Sequence, residues 1–456
     1  MRLAEATINE RPPAPAERLS VRGEAPAPLD RRPAGGGRLL ADLSPGVSTV
    51  TLAEHRRRYP APPAPRRPGW AELIGLIGRS GLTGRGGGAF LVARKLHAVA
   101  QGRAAPVVVV NGAEGEPASG KDRLLLTRLP HLVLDGALLA AAAVGGDRVE
   151  VCIDRTHTSA LAALRHAVAE RTAQRETSVA IHVTATPPRY VAGESSALVN
   201  FLNDGPAKPT SSPPLTAEKG VAGRPTLVNN AETLAHLAQI ANFGPDWFRQ
   251  AGTTAEPGTM LLTVSGAVAQ PAVVEAAIGT PIGEILARAG GVEGSPEALL
   301  VGGFFGTWVA FPTALDAPFS RAGLAPFGAQ PGAGVIIVLP GGSCGLAETA
   351  RILAWYAAES AGQCGPCLYG LADLAAGAAA LAHGAAAANQ VAQLRHWAAQ
   401  IEGRGACHHP DGAVNLLRSA LWVFARDLDR HELGGGCPGS AAPPAIAVPA
   451  THTTWR

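Results

Sequence analysis

The stretch Pro106-Val-Val-Val-Val-Asn-Gly-Ala-Glu-Gly-Glu-Pro117 decides the fold class of this chain. Its first half is an uninterrupted run of valines, which is typical of a parallel strand buried on both faces. Its second half is polar, acidic and rich in glycine. Ligands of α/β proteins bind where such loops follow the carboxyl ends of buried strands. The position of Asn111, Glu114 and Glu116 directly behind the valines favours a binding site over a solvent-exposed turn.

Strands and helices alternate behind this stretch. The patterns predict a helix over residues 124–144, a strand over 148–153, a helix over 159–171 and a strand over 178–183. Such alternation is typical of βαβ units, which build a parallel sheet covered by helices. We therefore predict an α/β domain, a sandwich around a parallel sheet, over residues 69–250.

A glycine-rich loop, Ser80-Gly-Leu-Thr-Gly-Arg-Gly-Gly-Gly-Ala-Phe90, precedes the valine strand. Glycines let backbone N–H groups approach a phosphate closely, and Arg85 and Lys95 could supply the opposite charge. The loop follows an amphipathic helix at residues 70–77, whereas the usual dinucleotide-binding fingerprint follows a strand. From these residues alone, a phosphate-binding loop and a purely structural turn both stay open.

Two further polar motifs stand before helices. Tyr190-Val-Ala-Gly-Glu194 leads into an apolar helix at residues 197–202, and Asn229-Asn-Ala-Glu-Thr233 opens a helix at residues 231–243. Asparagine at a helix start usually caps the helix. Its amide can also contact a ligand, so the two interpretations are compatible.

The chain changes character beyond residue 250. Short strands around one helix predict a β-grasp domain over residues 251–340. Alanine-rich segments with helical periodicity predict a helical bundle over residues 341–433. We expect flexible or disordered tails at residues 1–68 and 434–456, with one short helix within the first and folded structure beginning near Trp70.

Three of the six cysteines form a motif: Cys364-Gly-Pro-Cys367, followed by Cys407. Two thiolates separated by two residues suit a zinc or iron–sulfur site. A redox-active cysteine pair is the alternative. Further possible ligands for a metal site are Cys344, His408, His409 and Cys437.

Net charge and the lengths of the apolar runs argue against three classes of protein: nucleic-acid-binding, secreted and membrane-spanning. The net charge of +3 does not indicate a nucleic-acid partner. The first thirteen residues lack the apolar core of a secretory signal, and the longest apolar run, residues 132–144, is shorter than the ~20 residues of a membrane span. We therefore expect a cytoplasmic protein without a transmembrane segment, at most peripheral to the inner face of the cell membrane.

The order of these motifs resembles that of one family. The glycine loop, the Asn111 loop with Lys121-Asp-Arg123, Tyr-x-x-Gly-Glu, Asn-Asn-x-Glu-Thr, the β-grasp segment and the cysteine-bearing bundle are similar to the NADH-binding flavoprotein subunit of respiratory complex I. Relatives of that subunit serve NAD-reducing hydrogenases and NAD-linked formate dehydrogenases. The resemblance covers residues 70–430. It implies FMN in the α/β domain and a [4Fe–4S] cluster in the bundle.

The resemblance also implies roles for individual residues. Glu116 matches an acidic residue near the nicotinamide, and Phe90 would form an aromatic wall. Cys364, Cys367 and Cys407 match three of the four cluster ligands. The residues implied to contact FMN are Gly84, Gly86, Gly87, Lys95, Asn111, Glu114, Tyr190, Gly193, Glu194, Asn229, Asn230 and Thr233.

Several residues depart from the family pattern. Ala361 replaces the first cluster cysteine, which leaves a [3Fe–4S] cluster, a non-cysteine ligand, a remote thiol such as Cys344, or no cluster. Ala113 replaces an aspartate beside the flavin. In the expected NADH pocket, residues that stack or pair in the family are replaced by Ala98, Ser195, Ser212 and Leu215. The flavin site is therefore expected to be kept and NADH binding to be in doubt.

We expect a subunit that passes electrons between a two-electron donor and a one-electron acceptor through FMN and an iron–sulfur cluster. Its expected partners are other redox subunits: ferredoxin-like, thioredoxin-like [2Fe–2S] or membrane-bound redox proteins. Two alternatives stay open, a genuine NADH dehydrogenase subunit and a scaffold without a working redox chain.

Overall fold

In the computed structural model, residues 38–43, 49–65 and 69–456 are described. The valine run forms the core of a parallel sheet, as predicted, and all four valines are fully buried. The sheet strands are β1 (Val107–Gly112), β2 (Arg148–Asp154), β3 (Ala180–Thr186) and β4 (Thr226–Asn230). Their order is β3-β2-β1-β4, so β1 and β4 are neighbours and their carboxyl ends meet at one edge.

Helices cover both faces of this sheet, and the apolar core lies between the layers. The prediction of a parallel-sheet α/β domain is confirmed. The helices are α1 (Leu52–Arg56), α2 (Ala71–Ser80), α3 (Val92–Ala100), α4 (Lys121–Arg128), α5 (Pro130–Val144), α6 (Thr158–Ala173), α7 (Ser195–Leu202), α8 (Ala231–Phe243) and α9 (Pro245–Arg249).

The single helix predicted over residues 124–144 is two helices, α4 and α5, bent by 96°. Proline at the start of α5 causes the break, because Pro130 has no N–H to donate and Leu129 before it leaves the helical region at φ −129°. Among the described residues, no single helix is long and apolar enough to cross a membrane, and α4 and α5 pass that test only when they are counted together.

Folded structure begins before Trp70, contrary to the sequence prediction. The short predicted helix is present as α1, capped by Thr51, and Leu39 and Leu52 are fully buried. Nε2 of His55 lies 2.7 Å from Oδ2 of Asp135 on α5, which anchors this segment to the α/β domain. Sequence alone missed this anchor because its ion pairs join residues eighty positions apart. The rest of the predicted N-terminal tail lies outside the described residues.

A second sheet follows, with strand order β6-β5-β9-β7-β8. Its strands are β5 (Thr259–Gly266), β6 (Ala272–Ala277), β7 (Ala298–Val301), β8 (Thr307–Ala310) and β9 (Val335–Val338). The sheet is mixed: β5 and β9 pair in parallel, whereas β5 with β6 and β7 with both its neighbours are antiparallel. The associated helices are α10 (Ile282–Arg288), α11 (Phe311–Ala314) and α12 (Arg321–Leu324).

Helices form the last layer, which packs against the second sheet. Leu300 and Trp308 of the sheet share one apolar core with Leu353 and Phe424 of the helices. A π-helical turn at Pro366–Gly370 carries Cys367. The helices are α13 (Gly345–Glu359), α14 (Leu371–Ala382), α15 (Gln390–Ile401), α16 (His409–Val423) and α17 (Ala425–Glu432).

The C-terminal segment, residues 434–456, packs back onto α13 instead of forming the predicted flexible tail. The backbone N–H groups of Ala445 and Ile446 donate to the carboxylate of Glu348 at 2.7 and 3.2 Å, and Ile446 is buried. Near the end of the chain, the guanidinium of Arg189 lies 4.1 Å from the ring centre of Trp455. The pattern of Pro and Ala in this segment carried no sign of these partners.

Candidate functional site

A cavity of about 630 Å³ lies where the carboxyl edge of the parallel sheet, the second sheet and the helical layer meet. We call it the central cavity. Ten of the predicted site residues line it: Gly86, Gly87, Asn111, Glu114, Glu116, Tyr190, Gly193, Glu194, Asn230 and Cys407. The remaining predicted residues lie outside its lining: Gly84, Arg85, Lys95, Asn229, Thr233, Cys364 and Cys367.

The loop after β1 is held by its own polar side chains. Nδ2 of Asn111 donates to the carbonyl oxygen of Gly193 at 2.8 Å, which joins this loop to the Tyr190 motif. The carboxylate of Glu114 accepts from the backbone N–H groups of Asp122 and Arg123, both at 2.9 Å, at the start of α4. Burial, assisted by the charge of Asp122, raises the pKa of Glu114. Glu114 thus shapes the loop as well as lining the cavity.

Glu116 connects the loop to the second sheet. Its carboxylate accepts from the backbone N–H of Phe304 at 2.9 Å and of Ala118 at 3.3 Å. Burial raises the pKa of Glu116 to about 7. Its carboxyl group therefore changes protonation near neutral pH while lining the cavity, as a proton-exchanging group in a redox site would.

A buried lysine fixes the start of α8. Nζ of Lys121 lies 2.9 Å from Oδ1 of Asp122 and 2.9 Å from Oε2 of Glu232. It also donates to Oδ1 of Asn230 at 3.1 Å. Burial disfavours the ammonium form, but the two carboxylates outweigh it and raise the pKa of Lys121. The amide of Asn230, which caps α8, is thereby oriented at the cavity wall.

Arg85 is not placed to neutralise a phosphate in the central cavity. Its side chain is buried, and the guanidinium donates to the carbonyl oxygens of Thr83, Pro257 and Thr259, each at 3.2 Å. Its backbone N–H donates to Oγ1 of Thr233 at 2.8 Å. Arg85 and Thr233 therefore fix the glycine loop, and the counter-charge role of Arg85 stays a prediction.

Gly86, Gly87 and Gly88 belong to the loop that Arg85 and Thr233 hold in place, and they form one wall of the central cavity. Gly87 has φ +100°, a conformation that side chains disfavour. A Cβ at Gly86 would lie 3.3 Å from Cβ of Asn230. Glycine at these positions keeps side chains out of this wall of the cavity.

Lys95, on α3, contacts β4, the strand that also carries Asn229. Nζ of Lys95 donates to the carbonyl oxygen of Val228 at 3.3 Å, and burial lowers its pKa. Asn229 is 3% exposed, and no atom of the described residues accepts a hydrogen bond from its Nδ2. A buried amide donor without a partner is costly, and Asn229 lies behind the residues that line the central cavity.

The Tyr190 motif faces the helical layer. The ring of Tyr190 contacts the rings of Phe305 and His409, with centroids 6.3 and 5.3 Å away. Burial raises the pKa of Tyr190 well above its usual value. Glu194 caps α7 by accepting from the backbone N–H groups of Ser196 and Ala197.

The three motif cysteines lie near one another beside this motif. Cys407 lines the cavity, whereas Cys367 is buried and Cys364 is partly exposed. Burial, with the Cys364 and Cys407 thiols acting in the same direction, raises the pKa of Cys367 to about 12. Ala361, at the position of the first family ligand, is buried and offers no ligand atom.

Cys344 is not the missing fourth ligand. It precedes α13, whereas Cys364 follows the end of that helix. A helix of this length spans about 22 Å, so one cluster cannot reach both. Of the two histidines behind Cys407, His408 is exposed and pairs with Asp411 at 2.8 Å. His409 is buried with Nε2 at 3.0 Å from the carbonyl oxygen of Tyr356, and burial lowers its pKa to about 4.

Sequence reasoning missed the cavity wall supplied by the second sheet and α16. Phe305, His409 and Asn415 belong to it, and Nδ2 of Asn415 donates to Oγ1 of Thr307 at 2.8 Å. The doublet Gly302-Gly303, with both φ values near +90°, was the available signal for a close backbone approach. Phe90, predicted as an aromatic wall, is 62% exposed and does not line the cavity.

The residues present fit FMN. The glycine wall, with the polar side chains of Asn111 and Asn230 at the sheet edge, suits a phosphate-bearing polar ligand. The thiols of Cys364, Cys367 and Cys407 fit an iron–sulfur cluster by the chemistry of their donor atoms. They supply three ligands, one fewer than a cluster held by four cysteines.

Comparison with known families matches three segments of the chain. Residues 77–239 match the Nuo51 FMN-binding domain, residues 261–298 the SLBB domain, and residues 347–431 the NADH-ubiquinone oxidoreductase-F iron–sulfur binding region. These matches confirm FMN and an iron–sulfur cluster as the cofactors, and each begins and ends within one structural layer.

Curated relatives match over most of their length. The F subunit of NADH-quinone oxidoreductase in Streptomyces coelicolor is 30% identical over 402 residues, which are 84% of this chain and 86% of that protein. The corresponding F subunit in Escherichia coli is 30% identical over 374 residues, 78% of this chain and 84% of that protein.

Two solved structures of an NAD+-reducing hydrogenase also match most of this chain. The H2-reduced NAD+-reducing [NiFe]-hydrogenase matches with a TM-score of 0.73 and 30% identity, covering 79% of this chain but only 62% of the hydrogenase chain. The air-oxidized form matches with a TM-score of 0.77 and 29% identity, covering 91% of this chain and 69% of that chain.

Proposed function

This chain belongs to the family of the NADH-quinone oxidoreductase F subunit, and we propose that its central cavity holds the FMN of an electron-transfer protein whose iron–sulfur cluster binds beside it. FMN, when bound, exchanges two electrons with a donor and passes them on singly. One observation supports this arrangement above the others. The same cavity is lined by the Gly86 wall, the Glu116 loop and Cys407.

The residues of the parallel-sheet edge would hold the cofactor. Backbone N–H groups at Gly86 to Gly88 suit the phosphate, and Lys95, which pairs with no carboxylate of the described residues, supplies positive charge near it. The unpartnered Nδ2 of Asn229 donates to a ligand oxygen. Asn111 and Asn230 lie at the ends of adjacent strands and orient the polar edge of the flavin.

Glu116 would exchange the proton that accompanies electron transfer. Its pKa of about 7 lets the carboxyl group release or accept a proton near neutral pH. Hydrogen bonds from Phe304 and Ala118 hold it at the cavity wall in either state. Tyr190 and Phe305 exclude water on the side of the cavity that faces the helices.

Cys364, Cys367 and Cys407 would hold a three-iron, [3Fe–4S] cluster. One thiolate binds each iron of such a cluster, and Ala361 offers no fourth. A cluster that touches Cys407 at the cavity wall lies next to the flavin site. A short distance between the cluster and the flavin would favour single-electron transfer between them.

The electron donor is proposed to differ from NADH. Leu215, at a position where the family stacks an aromatic ring on adenine, is 58% exposed, and Ala98 is also exposed. An aromatic stacking partner contributes about 1 kcal/mol, so the loss of two such partners lowers the affinity for NADH by roughly tenfold or more.

The second sheet is proposed to be a β-grasp module. The partners are proposed to be other redox subunits of a complex peripheral to the membrane.

Anaerobic purification of the full chain tests this function. We expect about one FMN per chain on denaturation, with flavin and iron–sulfur absorption that dithionite bleaches and NADH leaves largely unchanged. Colourless protein would contradict the proposal. Rapid bleaching of the flavin absorption by NADH would instead identify NADH as the electron donor.

Asn229 offers a sharper test of the binding residues. Asn229→Ala should weaken FMN binding about threefold to tenfold, because one hydrogen bond contributes ~0.5–1.5 kcal/mol. Asn242→Ala on α8 is the matched control, since the Asn242 amide donates to the carbonyl oxygen of Arg58 instead. Equal FMN affinity in both variants would rule out Asn229 as a ligand.

A further inference from the structure

Three buried side chains outside the central cavity converge on one point. The ligand atoms of Cys344, His431 and Cys437 all lie within 4.8 Å of one another. Their residues are 3%, 0% and 7% exposed. Cysteine and histidine side chains gathered at this spacing in a dry interior are characteristic of a structural metal site.

The two cysteines each stand at the start of a helical turn. Cys344 stands at the N-terminus of α13, and its Sγ accepts from the backbone N–H of Ala347 at 3.3 Å. Cys437 stands at the start of a 3₁₀ turn, Pro438–Ala441, and Oγ of Ser440 donates to its Sγ at 3.6 Å.

The histidine is held in the orientation that metal ligation requires. Nδ1 of His431 lies 3.1 Å from the carbonyl oxygen of Leu381 and therefore carries the proton. Nε2 lies 3.5 Å from Sγ of Cys344 and accepts from the backbone N–H of Cys437 at 3.1 Å, a hydrogen bond that a bound metal would replace. Metal-bound histidines almost always donate their other ring N–H to a carbonyl or carboxylate in this way.

We propose that Cys344, His431 and Cys437 bind one structural zinc ion, with an oxygen ligand in the fourth position. Zinc bonds of ~2.3 Å to sulfur and ~2.0 Å to nitrogen at tetrahedral angles place sulfur and nitrogen about 3.5 Å apart. Sγ of Cys344 and Nε2 of His431 are 3.5 Å apart. Binding releases the two thiol protons to solvent, and two thiolates with a neutral imidazole balance the charge of the ion.

The ion would fasten the C-terminal segment to the helical layer. Its ligands come from the start of α13, the end of α17 and the segment itself, at Cys437. Beyond Cys437, the segment binds Glu348 through Ala445 and reaches Arg189 through Trp455. Because α13 separates this site from the motif cysteines, the inference does not depend on the proposed function.

Metal analysis of the full chain tests the site. Protein purified under reducing, anaerobic conditions should contain about one zinc ion per chain in addition to its iron. His431→Gln and Cys437→Ser should each lose the zinc while keeping the iron and becoming sensitive to protease after residue 433. Cys152→Ala is the matched control, since Cys152 is buried in β2 and should keep the zinc.

Three results would overturn the proposal: zinc retained in both variants, iron lost in place of zinc, or a disulfide between Cys344 and Cys437 in the anaerobic protein. Should the variants fail to fold, zinc-edge X-ray absorption of the unaltered chain decides. Two sulfur neighbours at ~2.3 Å and a nitrogen at ~2.0 Å support the site. A shell of nitrogen and oxygen alone refutes it.

Discussion

The carboxylate of Glu116 accepts a hydrogen bond from the backbone N–H of Phe304 at 2.9 Å, across the boundary between the two sheets. One oxygen thereby links the loop after β1 to the turn between β7 and β8. The same carboxyl group lines the central cavity, where burial raises its pKa to about 7. A change in the protonation of Glu116 therefore acts on both the domain contact and the cavity.

Glu116→Gln should flatten part of the pH dependence of stability. In the folded chain Glu116 keeps its proton up to about pH 7, whereas in the unfolded chain it loses it near pH 4.5. The folded state thus binds more protons in this window, and the free energy of unfolding falls as the pH rises through it. Melting temperatures of wild type, Glu116→Gln and the exposed control Glu297→Gln, measured from pH 4.5 to 8, check this. A control profile as flat as that of Glu116→Gln would contradict it.

Gly303→Ala should be more damaging than Gly291→Ala. Both glycines have positive φ, +89° and +85°, so alanine strains either by about 1 kcal/mol. A Cβ at Gly303 would also lie 2.4 Å from Cδ of Glu116, whereas one at Gly291 meets nothing within 4 Å. We expect overpacking to add a further 1–3 kcal/mol, roughly, at Gly303, measured by urea unfolding. An equal loss of unfolding free energy in the two variants would show that Glu116 can move aside for the added Cβ atom.

Asp135→Asn should destabilise the α/β domain strongly. Asp135 is 2% exposed and pairs with His55 at 2.7 Å and Arg56 at 2.8 Å. Despite burial, these partners depress its pKa, so its contribution is present above the ordinary carboxyl pKa and is lost on strong acidification.

Removing one partner of a buried ion pair costs about 3–5 kcal/mol. Asp147→Asn is the matched control, because Asp147 pairs with Arg224 but its side chain is 63% exposed, and its loss should cost less than about 1 kcal/mol. Chemical unfolding at pH 7 measures both. Similar losses at the two positions would contradict the anchoring role of Asp135.

Ala361→Cys should change the iron–sulfur cluster. With a fourth thiolate in the family position, we expect iron to rise from about three to about four per chain. The electron paramagnetic resonance signal should move from the oxidised protein, as for a three-iron cluster, to the reduced protein. Ala361→Ser, which adds an oxygen in nearly the same volume, is the control. Four irons in the unaltered chain would show that a non-cysteine ligand already completes the cluster.

The sequence predicted elements whose pattern is local. Four valines followed by Asn111 sufficed for β1 and for the polar loop that lines the central cavity, because a strand buried on both faces and an acidic loop at its end are both visible in the sequence. Strand β4 was missed, since Pro225 precedes it and its last residues, Asn229 and Asn230, have the pattern of a helix start. The neighbour of β4 is β1, which lies more than one hundred residues earlier.

In the candidate site, too, contacts between residues that are distant in sequence could not be predicted. Arg85 in a glycine loop has the residue type of a phosphate ligand, but its side chain binds carbonyls of a segment that starts 170 residues later. Phe305 and Asn415 carry no motif at all and enter the cavity only through the packing of the second sheet and α16. Likewise Cys344 lies 87 residues before His431, and only folding brings it to His431 and Cys437.

Electron transfer between the two cofactors is the central claim, and rapid-freeze electron paramagnetic resonance after photoreduction of the bound flavin tests it most directly. Full-length protein, purified anaerobically, is illuminated and frozen at successive times while the flavin absorption is followed. We expect the cluster signal to change as the flavin absorption recovers, since Cys407 lines the proposed flavin cavity. A flavin that stays reduced beside an unchanged cluster signal would contradict it.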